Sequence, residues 1–396
     1  MIRIAMIGVG AISGIYIKNI NETFRDIQII GMCDLIPERA ENGRNQIREQ
    51  IRRGVDTPEP KIYKDMYEAF DDPDVDVVLN ITRPYEHYEV TKQALLHGKH
   101  VYSEKPLAVD MDEADELMSI AKEKGLHLGG APDTFMGAGI QTCRRLIDDG
   151  FIGDVIGADC AMISHGTETW HPDPEFFYKR GGGPMLDMGP YYVTALVNLL
   201  GEAKEICGMT KRSFDRRIIT SRPHAGEVID VEVETYQTGA IRFSSGAVAS
   251  ITTTFDAYYT APSRFEVFGT RGTLIVPDPN TFGGPILMYR PEDHEFGPSS
   301  DPGYRKIEYT PYKAYKEMPL MYDYRENSRG LGLADMCKAI ETGRGWRANC
   351  DQQYHVLEIM TSFVKASREG KTLTLKSSFD RAPAMLNNPM HGVLDN

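Results

Sequence analysis

The chain has 396 residues, of which 41% are hydrophobic and 26% charged, a composition that suits two ordinary globular domains and excludes a disordered chain or a bundle of membrane spans. Formal net charge is −13 with no long basic block, so nucleic acid and anionic membrane are excluded as expected partners by simple repulsion. No apolar run approaches the roughly 20 residues of a bilayer span; the opening Met1-Ile2-Arg3-Ile4 reads as a strand and not as a secretion signal, and the expected compartment is the cytoplasm.

From residue 1 to about 130, short apolar runs alternate with helical stretches, the pattern of a doubly wound parallel sheet. The predicted strands are 2–7, 27–33, 75–80, 100–102 and 126–129. Ala114, Leu117, Met118 and Ala121 recur at the helical period, with Asp110 and Glu113 as a capping box and Gly125 as a stop. After about residue 130 the character changes. Stretches 155–165, 204–213, 228–258 and 263–290 are rich in β-branched and aromatic residues, with turn signals at Thr238-Gly239 and Ser245-Gly246. The strict alternation Val231-Glu232-Val233-Glu234 predicts a sheet face open to water. The expected fold class is therefore α/β: an N-terminal Rossmann domain, 1–130, and a C-terminal α/β domain, 131–396, with an open, mostly antiparallel sheet. One helix is expected near 187–200 and another over 331–368. Segment 291–325 reads as a surface excursion or an oligomer contact, and 383–396 as an extended tail. The six cysteines form no CxxC pair or Cys/His array, which predicts reduced thiols and no metal site.

The first chemical signal follows the first strand. Gly8-Val9-Gly10-Ala11-Ile12-Ser13 is GxGxxG with serine in the third place. Gly8 permits the tight turn, Gly10 the approach of a pyrophosphate, and Ser13 close helix–strand packing, while the helix N-terminus offers amides to phosphate. Asp34 ends the second strand 24 residues beyond Gly10, where a carboxylate accepts from the ribose hydroxyls of NAD and repels the extra phosphate of NADP. Asp34 is alternatively a solvated strand-end acid, and Arg39 is the residue that would turn the preference toward NADP.

The second signal is Glu104-Lys105-Pro106 at the end of the fifth strand. A strand end in such a sheet faces the ligand crevice, so Lys105 is placed to polarise a reacting hydroxyl; the alternative is a surface lysine. The third is Gly181-Gly182-Gly183-Pro184-Met185-Leu186-Asp187-Met188-Gly189-Pro190-Tyr191. The glycine triplet asks for backbone freedom or close ligand approach. A helix begun by Asp187 puts Asp187 and Tyr191 on one face at i, i+4, with Tyr191 a general base beside Lys105 and Asp187 orienting it or holding a substrate hydroxyl. An N-terminal helix aspartate and an ordinary buried tyrosine explain the same spacing.

These motifs, with Asn80-Ile81-Thr82-Arg83-Pro84-Tyr85-Glu86-His87 and Phe268-Gly269-Thr270-Arg271-Gly272-Thr273, resemble the Gfo/Idh/MocA family (glucose–fructose oxidoreductase, inositol dehydrogenase, rhizopine catabolism) over nearly the whole length. The resemblance implies NAD as cofactor, catalysis by Lys105, a substrate-pocket Asp187, a cis peptide at Lys105–Pro106, and homo-oligomers built through the C-terminal sheet. It places Thr82, Pro84, His87 and Glu104 with the glycine turn at the cofactor, with His87 alternatively a helix-capping histidine. Many relatives carry histidine where this chain has Tyr191, and an Arg-Phe pair after the sixth strand is here Asp133-Thr134-Phe135. Trp170, His171 and Tyr178 are the expected substrate contacts. The activity implied is hydride transfer between NAD and a secondary hydroxyl of a sugar, glycoside or cyclitol. Two alternatives remain open: a self-recycling oxidoreductase that retains its cofactor, and a non-catalytic NAD-binding regulator.

Overall fold

In the computed structural model, residues 1–258, 264–290, 315–387 and 390–395 are described. Six strands, β1 (Ile2–Ile7), β2 (Ile27–Cys33), β3 (Lys61–Ile62), β4 (Val77–Asn80), β5 (His100–Ser103) and β6 (Leu128–Gly130), form one sheet in the order β3-β2-β1-β4-β5-β6. Every pairing in it is parallel. Helices α1 (Ser13–Glu22), α2 (Pro37–Arg52), α3 (Met66–Asp71), α4 (His87–Leu96) and α5 (Met111–Lys124) connect them. The strands are continuous apolar runs because both faces are covered: all four residues of β4 are buried. This is the doubly wound sheet expected from the sequence.

Its last unit shows how local signals set the boundaries. Asp110 caps α5 by accepting from the Glu113 amide at 3.1 Å, while the Glu113 carboxylate reaches back to the Val109 amide. Gly125 (φ 65°) ends the helix, and Leu126 still donates to Ala121 at 2.9 Å. That closing turn consumes Leu126 and delays β6 to Leu128, two residues past its predicted start.

The chain continues through α6 (Ala138–Asp148), β7 (Val155–Ile163), α7 (Pro184–Asp187), α8 (Gly189–Leu200), β8 (Ala203–Lys211), β9 (Arg216–Ile218), β10 (Val228–Asp230), β11 (Tyr236–Phe243), β12 (Val248–Thr254), β13 (Arg264–Gly269), β14 (Gly272–Ile275), β15 (Ile286–Tyr289), β16 (Lys316–Met318), α9 (Leu331–Thr342), α10 (Cys350–Glu369) and β17 (Leu373–Thr374). Nine of these strands make a second sheet, β16-β15-β14-β13-β7-β12-β11-β8-β17, antiparallel except for the parallel β7–β12 pair. Helices α8 and α10 pack together, and α10 lies along β8. The sheet's other face is open.

Four expectations are corrected here. Thr238-Gly239 is no turn: it lies inside β11, where Gly239 makes room for the Phe363 ring of α10. Val231–Glu234 leaves the ladder and runs between β10 and β11, with Val231 donating to Asp215 and Glu232 to Tyr178. The long helix over 331–368 is two, because Gly343 (φ 75°) stops α9 and Asn349 caps α10 afresh through the Gln352 amide. The predicted helix near 187–200 forms as α8, but its start is corrected: Asp187 closes the separate α7, and α8 begins at Gly189. Of segment 291–325, residues 291–314 lie outside the described residues. The C-terminal stretch is extended but docked: Arg347 donates to the Pro383 and Ala384 carbonyls and pairs with Asp395, and Gly392 accepts from Arg25. All six cysteines are free, and among the described residues no helix is long and apolar enough to cross a membrane.

Candidate active site

The β1–α1 turn is shaped for a diphosphate. Gly8 has φ 86°, and a methyl group there would fall 2.9 Å from the Ile81 carbonyl and the Thr82 amide. Only glycine lets the turn lie against the end of β4. A methyl group at Gly10 would meet nothing within 4 Å, so the space above the turn is open. Ser13, buried as its packing role requires, closes the turn by donating to Gly10 at 2.7 Å. Helix α1 starts with no side-chain cap and no acid in its first turn, so the amides of Ala11 and Ile12 stay available to an anion, while that of Ser13 donates to the Gly10 carbonyl at 3.1 Å. The Asp34 carboxylate accepts from Val9 at 2.6 Å and Ile36 at 2.8 Å, which holds it at the lip of the turn. Arg39 is exposed on α2.

The next two strand ends supply the rest of the cleft. Thr82 donates to Asn80 at 2.7 Å, and Pro84 opens a short turn before α4. His87 is corrected: it is buried between the two loops, one ring nitrogen 2.9 Å from the Pro106 carbonyl and the other 3.1 Å from that of Thr82. Burial lowers its pKa, and it braces the loops from behind and presents no face to a ligand. Glu104 is likewise buried, accepting from the Tyr16 hydroxyl at 2.8 Å.

Lys105 follows, with a cis peptide to Pro106. Its ammonium donates to the Asp187 carbonyl at 2.7 Å and carboxylate at 2.9 Å, and lies 5.2 Å from the centre of the Tyr191 ring. The three residues meet, but not along a continuous helix. Pro190 cannot donate within a helix interior, so the chain breaks at Met188, ending α7 at Asp187 and placing Tyr191 in the first turn of α8. Burial pulls the Lys105 ammonium down, and the charges of Asp187, Tyr191 and Glu104 together carry it above its ordinary value. Burial raises the Tyr191 phenol more than Lys105 and Arg329 lower it, leaving it above the usual tyrosine value.

Arg329, just before α9, donates to Asn280 at 2.7 Å and Asn327 at 2.9 Å, and its charge reaches Tyr191; it was not singled out in the sequence. Nothing in the local pattern of Asn327-Ser328-Arg329-Gly330 marks it, and only tertiary contact brings it to α8. The glycine triplet serves packing: Gly181 passes against Val109, Gly182 against the Phe176 and Phe177 carbonyls, and Gly183 (φ 86°) starts α7.

The expected substrate contacts separate. His171 is half-buried, edge-on to Phe177, and feels the charges of Asp187 and Arg83. Trp170 beside it is 67% exposed. Tyr178 is corrected: it is wholly buried, its hydroxyl donating to Glu168, which pairs with Arg217. Arg83 joins this loop to the Rossmann half through Asp173 at 2.6 Å.

A cleft built to take a diphosphate, opening beside a buried lysine–tyrosine pair, defines the class as a dinucleotide-dependent oxidoreductase. Residues 2–130 match the oxidoreductase family with an NAD-binding Rossmann fold, and 140–275 the GFO/IDH/MocA C-terminal domain. Myo-inositol 2-dehydrogenase of Thermotoga maritima is 25% identical over 272 residues, 69% of this chain and 74% of that one. D-xylose dehydrogenase of Paenarthrobacter nicotinovorans is 30% identical over 158 residues, so that the match spans 39% of this chain and 41% of the relative. The crystal structure of an NAD-binding oxidoreductase from Klebsiella pneumoniae superposes with a TM-score of 0.75 at 20% identity, covering 95% of this chain and all of that one. The chain belongs to the Gfo/Idh/MocA family of NAD-binding oxidoreductases.

Proposed function

We propose that the protein interconverts a secondary hydroxyl of a sugar, glycoside or cyclitol with the corresponding ketone, using NAD. The observation that carries this reading is the Lys105–Asp187–Tyr191 cluster beside the open glycine turn. Bound NAD supplies the hydride acceptor, or as NADH the donor. Lys105, held by Asp187, lies where its charge stabilises a developing alkoxide. Tyr191 exchanges the hydroxyl proton; its raised pKa keeps the free protein's phenol protonated, which suits proton donation to a carbonyl as well as the reverse step once an alkoxide-binding cation is near. Asp34 discriminates for NAD by its charge at the ribose. His171 and the exposed Trp170 are the polar and stacking contacts for a ring, and relatives named for a sugar and a cyclitol support that substrate class.

The compartment in this reading is the cytoplasm, and the oligomer is a homo-oligomer through the open face of the large sheet. Met209, Tyr236, Val248 and Ile163 are exposed on that one face.

Absorbance at 340 nm, with NAD and a panel of sugars, inositols and glycosides, tests the reaction. NADH accumulating with one polyol supports an ordinary dehydrogenase. Silence across the panel together with no NADH in the purified protein would favour the regulator.

A further inference from the structure

An ion pair ties the loop that carries His171 to the loop after β4. Arg83 Nη2 donates to the Asp173 carboxylate at 2.6 Å, and its Nη1 to the Tyr85 hydroxyl at 2.9 Å. The Arg83 amide donates to the Glu86 carboxylate at 3.1 Å, which fixes the backbone behind the guanidinium. Both partners of the pair are partly exposed, and a pair of that kind adds little to stability. Its consequence lies in what Asp173 holds.

The Asp173 amide donates to His171 Nδ1 at 3.0 Å. A backbone N–H can only donate, so Nδ1 keeps its lone pair and the ring proton sits on Nε2. The ring is also held from its sides. Phe176 and Phe177, stacked on each other at 4.0 Å, meet it edge-on at 5.5 and 5.1 Å. Ser221 donates to the His171 carbonyl at 2.5 Å. Pro172 and Pro174 bracket Asp173, with φ fixed on either side of the donating amide. Nε2 is left over: among the described residues no group accepts from it, and it is not sealed from solvent. The aromatic pair abuts the turn into α7, because the Phe177 carbonyl accepts from Gly183 at 2.6 Å and the Gly183 carbonyl from Asp187 at 3.0 Å. The charges of Asp187 and Arg83 both act on the ring.

We propose that Arg83 and Asp173 are positioning residues for substrate binding: Arg83 holds Asp173 so that its amide stays on His171 Nδ1, and His171 thereby meets the substrate as an Nε2–H donor to a ring oxygen. The inference rests on the reading of His171 as a contact for the ring. Arg83 also reaches the other side of the same setting, 5.9 Å from the centre of the Phe176 ring, so its loss loosens both the amide and the aromatic wall. A donor fixed in advance spares the complex the cost of ordering the ring.

The tautomer is read without substrate. The full chain is labelled with 15N-histidine, and His171 is assigned by its absence in His171→Gln. At mildly alkaline pH its two ring nitrogens should give the well-separated signals of a single Nε2–H form. In Arg83→Gln they should move toward each other as the Nδ1–H form becomes populated, with thermal unfolding little changed. Arg83→Lys, which keeps a cation for Asp173, should restore the separation. Asp173→Asn keeps the amide and loses the charge; it should give a smaller convergence and covers the case in which Arg83→Gln does not fold. With the polyol that the 340 nm assay identifies, Arg83→Gln should raise KM about tenfold at nearly constant kcat, as for one oriented hydrogen bond lost equally from ground and transition states. Wild-type signals of an Nδ1–H form overturn the inference, as do signals unchanged in Arg83→Gln, or in Asp173→Asn should the former not fold. A KM unchanged in His171→Gln overturns the reading of His171 as a ring contact and the inference with it. The two failures are told apart because only the second leaves the tautomer as expected.

Discussion

Lys105 and Asp34 carry the two functional readings that single substitutions separate. Removing the Lys105 ammonium leaves the glycine turn and Asp34 intact. Lys105→Ala should therefore bind NAD nearly as wild type, by fluorescence titration, while turnover falls about 100- to 10,000-fold, the usual worth of a proton-transfer or charge-stabilising group. Unchanged turnover would take the lysine out of the mechanism. Asp34 accepts two backbone amides in the free protein, so its carboxylate is already aimed when the ribose arrives. Asp34→Ala should weaken NAD by roughly tenfold to a hundredfold, the worth of charge-assisted hydrogen bonds, and NADP less. Equal losses for both would refute the assignment. The sequence marked both residues because strand ends and glycine turns are local patterns. It did not mark Arg329, whose meaning arises only when a segment after β16 meets α8. It left open which way Tyr178 and His87 point, because polarity near a motif does not say so, and both are buried.

At the scale of elements, the caps decide where helices begin and so where functional groups stand. Asp110 caps α5 through the Glu113 amide, and both acids also receive Arg180 from the loop before the glycine triplet. Asp110→Ala should cost about 1 kcal/mol of stability from the lost cap, read as a lower unfolding midpoint in urea with an unchanged slope; no change would mean that Glu113 serves the helix end alone. The break between α7 and α8 teaches a related point. The i, i+4 argument brought Asp187 and Tyr191 together on paper through one helix. The protein brings them to Lys105 through a kink at Met188 that Pro190 imposes, a different geometry with the same meeting point. Likewise the glycine triplet was legible as a demand for backbone freedom, but whether ligand or packing made the demand was decided by Val109 and the Phe177 carbonyl.

For the whole molecule, the histidines shielded from water make stability depend on pH, and the open sheet face is where the proposed homo-oligomer contact is tested. Burial pushes His100, at the foot of β5, down to about 4, with His127 adding to it, and pushes His355 in α10 down to about 4. Both are neutral in folded and unfolded chains above pH 6.5. As pH falls from 6.5 toward 4 the unfolded chain binds protons that the folded one refuses, so stability declines across that window by about 2 to 3 kcal/mol for each residue. Thermal melts between pH 7 and pH 4.5 should show that decline, and His355→Gln should reduce it; a flat profile would contradict the burial of both rings. On the sheet, Met209→Lys places a charge on the open face at β8, beside the edge strand β17. It should lower the mass of the proposed homo-oligomer by light scattering while leaving the melting of the fold little changed; an unaltered mass, or a wild-type monomer, would refute the proposed contact.

The sequence by itself determined the doubly wound sheet, the glycine turn with Asp34, and the Lys105, Asp187 and Tyr191 trio. Each of these is written in short-range periodicity, or in residues whose backbone demands are local. Only the tertiary structure decided that the charge of Arg329 reaches Tyr191, that Asp133 caps a helix nearly two hundred residues away, and that Tyr178 is buried against the Glu168–Arg217 ion pair. Those outcomes depend on which distant surfaces meet and which groups pair when they do, and no window of the chain contains both sides of such a contact.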